Sequence, residues 1–156
     1  MSFDGGSAVA AGIIAGAIMA AVLYMGIAMM PRQMKMNLFQ LLGTMMLKKG
    51  PMAYVMGAMV HAGMSTAFAL VHAALFDAFD LTSSLAAWGL LFGLVHWAIV
   101  GMGLGMMPLM HRGIRQGVVD APGAYAKNYP AMTIMGFLML HLLYGVLVGA
   151  FYTAFT

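Results

Sequence analysis

Four long runs of the chain carry no Asp, Glu, Lys or Arg: residues 7–30, 52–76, 84–110 and 131–155. Each meets the ~20 residues an α-helix needs to cross a hydrocarbon layer about 30 Å thick. Inside such a layer the backbone N–H and C=O groups find no water and must bond within their own segment, so each run predicts a helix. Between the first two runs the pattern changes. Met34, Leu38, Leu41, Leu42, Met45 and Met46 recur at helical spacing, while Lys35, Gln40, Thr44 and Lys48 fall on the opposite side. That arrangement predicts a short amphipathic helix over 34–48 lying in the membrane interface as a connector. The stretch 111–130, with Gly113, Gly117, Pro122 and Gly123, predicts an irregular loop.

Composition narrows the class. The chain is 63% hydrophobic and only 7% charged, against about 25% charged residues in an average soluble domain. A soluble fold could not cover its surface with so few charges, whereas a chain in contact with the lipid bilayer does not need to. The expectation is an all-α integral membrane protein: one membrane domain over 1–156, built as a bundle of four transmembrane helices. All seven Lys and Arg residues lie in two places. Arg32, Lys35, Lys48 and Lys49 follow the first run, and Arg112, Arg115 and Lys127 follow the third. Under the positive-inside rule the loops 31–51 and 111–130 are then cytoplasmic, and both termini lie on the other side. A bacterial or archaeal plasma membrane suits this reading. The net charge of +3 becomes a topology signal, and the basic loops lack the interleaved aromatic residues of a nucleic-acid surface. Asp4, in place of a basic leader, makes the first run a retained helix rather than a signal peptide.

The two halves resemble each other. Gly26-Ile27-Ala28-Met29-Met30-Pro31 matches Gly103-Leu104-Gly105-Met106-Met107-Pro108. Pro51 followed by Met56-Gly57-Ala58-Met59-Val60-His61 matches Pro130 followed by Met135-Gly136-Phe137-Leu138-Met139-Leu140-His141, with one residue inserted. The pattern predicts tandem helical hairpins related by a pseudo-twofold axis along the membrane normal, whose interface near mid-membrane is the place to look for a ligand.

That place holds imidazoles. At 1.5 Å per residue, His61 lies about 14 Å and His141 about 16 Å from the basic-loop ends of their helices, and His96 about 18 Å below the opposite end of its own. The repeat aligns His96 with Met19, so each helix offers one nitrogen or sulfur donor to a shared layer: Met19, His61, His96 and His141. No carboxylate lies within the runs, so ion pairing cannot explain these groups. Hydrogen bonds to Ser65, Thr66, Tyr144 or a carbonyl are the ordinary explanation. Coordination is the functional one: imidazole with thioether suits copper, and two facing imidazoles suit the iron of haem b. A chlorin needs only one axial His and is the weaker candidate. His72, three turns from His61 on the same face, is a candidate second ligand. His111, at the end of the third helix beside Arg112, is read as a cation favoured by the helix dipole.

Met52, Met56 and Met59, and Met132, Met135 and Met139, lie along helix faces. Packing filler is their usual role, and a thioether path for copper(I) the specific one. The pairs Gly12 and Gly16, Gly89 and Gly93, and Gly145 and Gly149 predict close helix contacts within the bundle or with another copy. The chain has no Cys and no Walker, GxSxG, HExxH or EF-hand motif, and it lacks Glu altogether, which removes di-iron carboxylate chemistry. A catalytic role of its own is therefore not expected. The sequence points to a small membrane subunit, associated with other membrane subunits or with itself, that holds haem, chlorin or copper for electron transfer or assembly. A purely structural subunit without a cofactor, and a copper-ion permease, are the alternatives.

Overall fold

The computed structural model describes residues 2–156, and all its regular elements are helical. In chain order they are α1 (Gly5–Met29), α2 (Leu38–Gly43), α3 (Pro51–Ala78), α4 (Leu85–Met110), α5 (Arg112–Arg115), a single 3-10 turn (Ala124–Ala126) and α6 (Ala131–Phe155). Four of these, α1, α3, α4 and α6, are long and apolar enough to cross a membrane. They match the four uncharged runs to within two residues at each end.

Their ends have local causes. The Asp4 carboxylate accepts the Ser7 N–H at 2.8 Å, capping α1 with a negative charge at its positive end. Pro51 opens α3 at a position where no intrahelical N–H is required. Pro108 sits in the last turn of α4, which stops two residues later.

The interfacial helix expected over 34–48 is shorter than its periodicity suggests, covering only Leu38–Gly43. Asn37 caps it by accepting the Gln40 N–H at 3.1 Å. Thr44 ends it, its hydroxyl donating to the Gln40 carbonyl at 2.8 Å. Upstream, the Lys35 N–H donates to Thr133 Oγ1 at 3.1 Å, and Thr133 Oγ1 donates to the Gln33 carbonyl at 2.8 Å. Those bonds hold the segment against α6 as non-helical chain, with Met34 and Met36 buried. Nor is α2 a free surface element. Leu41, Leu42 and Gly43 are buried, and a Cβ on Gly43 would strike the Ala53 backbone of α3.

The chain divides into two compact units. The first comprises the N-terminal stretch through Val22, Ala62–Trp97 and Leu138–Thr156; the second comprises Leu23–His61 and Ala98–Phe137. In the first, Ala8, Ala11, Ala73, Phe76, Leu85 and Tyr152 form a buried apolar cluster. Its helices meet through glycine. Gly89 and Gly145 face one another backbone to backbone, and a Cβ at Gly93 would lie 2.5 Å from the His141 carbonyl oxygen. Gly12 admits α3 in the same way, with the Ala69 methyl 2.6 Å from where its Cβ would stand. At these positions the small residues make contacts within the chain.

In the second unit, the Tyr125 ring fills the notch left by Gly101 on α4, at the cost of a left-handed backbone at Tyr125 (φ 55°). His111 overturns its reading as an end-of-helix cation. It is fully buried, its Nδ1 accepts the Ile114 N–H at 3.1 Å, and its Nε2 donates to the Leu41 carbonyl at 2.7 Å. A ring that accepts at one nitrogen carries a single proton and serves as a neutral bridge. It caps α5 and ties it to α2.

Glycine contacts of this kind set an expectation for stability. Gly93→Ala should destabilise the protein by about 1–3 kcal/mol through overpacking. Gly103→Ala, with nothing within 4 Å of its Cβ position, should be tolerated and stabilise by up to about 1 kcal/mol through helix propensity. Denaturant unfolding of the two variants in the same detergent provides the comparison.

Candidate functional site

The first unit gathers an unusual set of polar rings. His72 on α3, His96 on α4, and His141 and Tyr144 on α6 are all buried, with 2%, 8%, 4% and 1% of their surfaces exposed. The α4–α6 approach through Gly93 sets the pair at its centre, because that glycine faces the carbonyl of His141 itself. The His96 and His141 ring centroids are 4.8 Å apart, edge to face at 79°. His72 joins from α3 at 6.1 Å from His96. Tyr144 lies 5.4 Å from His96 and 5.9 Å from His72. Phe68 closes one face of His96 by stacking at 3.6 Å, and Phe92 meets His72 at 6.0 Å.

Hydrogen bonding makes the arrangement more specific. His72 Nδ1 lies 2.8 Å from the Phe68 carbonyl, one helical turn back. A carbonyl accepts only, so the Nδ1 atom carries the proton and Nε2 presents a lone pair. That Nε2 is buried without a hydrogen-bond partner. His96 Nδ1 is also buried without one. Tyr144 is satisfied, its hydroxyl donating to the Ser65 carbonyl on α3 through a short bond. The site therefore contains two unspent ring nitrogens in a buried, aromatic-walled cluster. It can accept a proton donor or bind a metal ion through nitrogen, and it has no carboxylate with which to do acid–base chemistry.

The residues singled out from the sequence are distributed as follows. His72, His96 and His141 come together. His61 belongs to the second unit, where it is half-buried and packs 5.8 Å from the Phe39 ring of α2. Met19 is buried on α1 in the first unit. The sequence offers Tyr144 only as a hydroxyl that could satisfy a histidine. Here its bond to Ser65 fixes α6 against α3, and its ring packs against two of the imidazoles. Its signal was the spacing of three residues from His141, which puts both on one helix face. Among the described residues, no group of three or more His, Cys, Asp or Glu side chains is placed to hold a metal ion. The methionine faces are turned outward: Met52 is 67% exposed, Met59 64%, Met135 56% and Met139 55%.

Comparison with family models, with curated proteins and with solved structures returns no match.

The Tyr144 hydroxyl is a separable part of this site. Tyr144→Phe should cost about 0.5–1.5 kcal/mol, the net value of one hydrogen bond whose carbonyl acceptor keeps its helical partner. Its unfolding midpoint in detergent, compared with that of the unsubstituted chain, measures the bond.

Proposed function

We propose that the protein is a small membrane subunit that holds one copper(I) ion between His72 and His96, for electron transfer or for assembly of a larger membrane complex. One observation carries this reading: His72 donates its Nδ1 proton to a backbone carbonyl and leaves Nε2 buried with an unused lone pair. Metal-ligating histidines are prepared in this way, the second nitrogen fixing tautomer and ring orientation. The His96 ring, whose Nδ1 is also buried without a partner, lies at a centroid separation that suits a shared ion. Two metal–nitrogen bonds of about 2 Å plus the two ring radii give a centroid separation of roughly 6 Å, and the observed value is 6.1 Å. Copper(I), a closed-shell ion that accepts linear two-coordination by imidazole, needs no third ligand. Zinc would need four. A haem or chlorin fits less well, because His141 and Tyr144 occupy the space a macrocycle would need around the His72–His96 axis.

The wider reading places loops 31–51 and 111–130 on the cytoplasmic side of a bacterial or archaeal plasma membrane, with both termini outside, on the strength of the seven basic residues. The Gly-Met-Met-Pro matches support tandem hairpins with a pseudo-twofold along the membrane normal. The word subunit rests on exposure. Only 28% of the most apolar window of α3 and of α4 is buried, against 39% for α1 and α6. Two broad apolar faces are thus available to lipid or to a membrane partner. That observation equally favours a structural accessory subunit without a cofactor, which the following measurement separates.

The full chain, purified in detergent, should take up one equivalent of copper(I) in competition with a chromophoric chelator. His72→Phe or His96→Phe should weaken uptake at least ~100-fold, while His61→Phe and Met135→Leu leave it unchanged. Uptake equal in wild type and both cluster variants overturns the copper reading. Thermal stability raised by His72→Phe, with no metal bound by either protein, establishes the structural one.

A further inference from the structure

The second unit contains a cavity of about 1070 Å³ that the histidine cluster does not involve. This is at the upper end of the ~300–1,000 Å³ typical of small-molecule sites. Its position is defined by chain ends: Ile27 in the last turn of α1, Pro130 immediately before α6, the α2 segment and the loop residues 118–121. For helices of membrane-crossing length, span ends lie at the level of lipid headgroups.

Its lining is two-sided in chemistry. Ile27, Met34, Leu41, Val118 and Val119 supply apolar wall. Lys35 and Lys49 supply two cations, Asp120 one carboxylate, and Asn37, Gln40 and Asn128 amide groups. The polar wall is held in place by its own bonds. Tyr24 donates to Asn37 Oδ1 at 3.0 Å, and Asn37 Nδ2 donates to Tyr54 at 2.7 Å. Asn128 Nδ2 donates to the Ala121 carbonyl at 3.0 Å, which fixes the loop. One donor is left over: Gln40 Nε2 is buried with no acceptor. Tyr129, which also lines the cavity, has its phenol pushed up by burial and, second, by the Asp120 carboxylate, so it keeps its proton for donation at neutral pH. The cavity thus offers two cations and several donors beside a single anion, next to an apolar wall.

We infer that this cavity binds a phospholipid whose headgroup carries both a phosphate and a primary amine. Lys35 and Lys49 take the phosphate oxygens, Asp120 takes the ammonium group, and the apolar wall takes the first methylenes of the acyl chains. Two cations and one carboxylate match a zwitterion of this type, and charge-assisted hydrogen bonds supply the selectivity. A free phosphate or a soluble phosphoamine would use the same polar groups but leave the apolar wall wet.

The test uses the full chain in detergent, exposed in turn to phosphatidylethanolamine, phosphatidylcholine and labelled inorganic phosphate, with retained ligand counted by native mass spectrometry or equilibrium dialysis. Phosphatidylethanolamine should be retained about tenfold better than phosphatidylcholine, whose trimethylated nitrogen cannot donate to Asp120. Asp120→Asn should abolish that preference, and Lys35→Gln with Lys49→Gln should lower retention of phosphatidylethanolamine about tenfold. An unchanged unfolding midpoint in these surface variants shows that the fold is intact. Equal retention of the two lipids, retention indifferent to the three substitutions, or tight binding of inorganic phosphate alone overturns the assignment.

Discussion

The close approach of α4 to α6 is the constraint on which the rest of the first unit depends. Gly89 and Gly145 let two backbones touch, and Gly93 extends that contact to the carbonyl of His141. Without a hydrophobic force between helices in lipid, packing of this kind and interhelical hydrogen bonds must hold them together. The approach also decides chemistry. It brings His96 to within 4.8 Å of His141, and α3 adds His72 and the Ser65 carbonyl that Tyr144 requires. Three imidazoles end up in one buried cluster because glycine allowed the helices that carry them to come near.

Much of this was legible in the sequence, for physical reasons that can be stated. A run without charges long enough to cross a bilayer is constrained to be a helix, so α1, α3, α4 and α6 were readable almost to their end residues. The small-residue pairs on α4 and α6 were readable as contact faces too, although spacing alone does not say whether a face meets its own chain or another. The histidines were only half legible. Depth counted by helical rise selects His61 together with His96 and His141, but it takes no account of crossing angle or of α3 being three residues longer than α6. The structure groups His72 with His96 and His141. His72 shares the helical face of His61 three turns away, and the spacing along that face does not say which of the two meets the other imidazoles.

The second unit shows a different kind of failure. The apolar positions from Met34 to Met46 repeat with helical period, yet only six residues are helical. Periodicity tracks burial only in part here: Met46 is exposed and Thr44, placed on the opposite side, is buried, while Met34 and, outside the pattern, Met36 are buried. They achieve it from non-helical chain, which Thr133 ties to α6 through the Gln33 carbonyl and the Lys35 N–H. A side chain 98 residues from Lys35 in sequence cannot be foreseen from a local pattern. His111 fails for the same reason. Beside Arg112 it looks like a solvated cation, and only the arrival of the Leu41 carbonyl turns it into a buried neutral bridge.

The contrast between His111 and His72 bears on function. Both rings are almost fully buried, and both give a proton to a main-chain carbonyl. His111 also finds a donor for its second nitrogen, the Ile114 N–H, and so completes its bonding within the protein. His72 does not: its Nε2 has no partner, and the polar rings beside it are His96, with a nitrogen also unpaired, and Tyr144, whose only proton is committed to Ser65. Leaving a buried acceptor unsatisfied costs about 1–3 kcal/mol, and a phenylalanine would fill a similar volume without that penalty. The same chain satisfies one buried histidine completely and leaves a ring nitrogen unpaired on each of two neighbouring ones. An ion held between them would complete both.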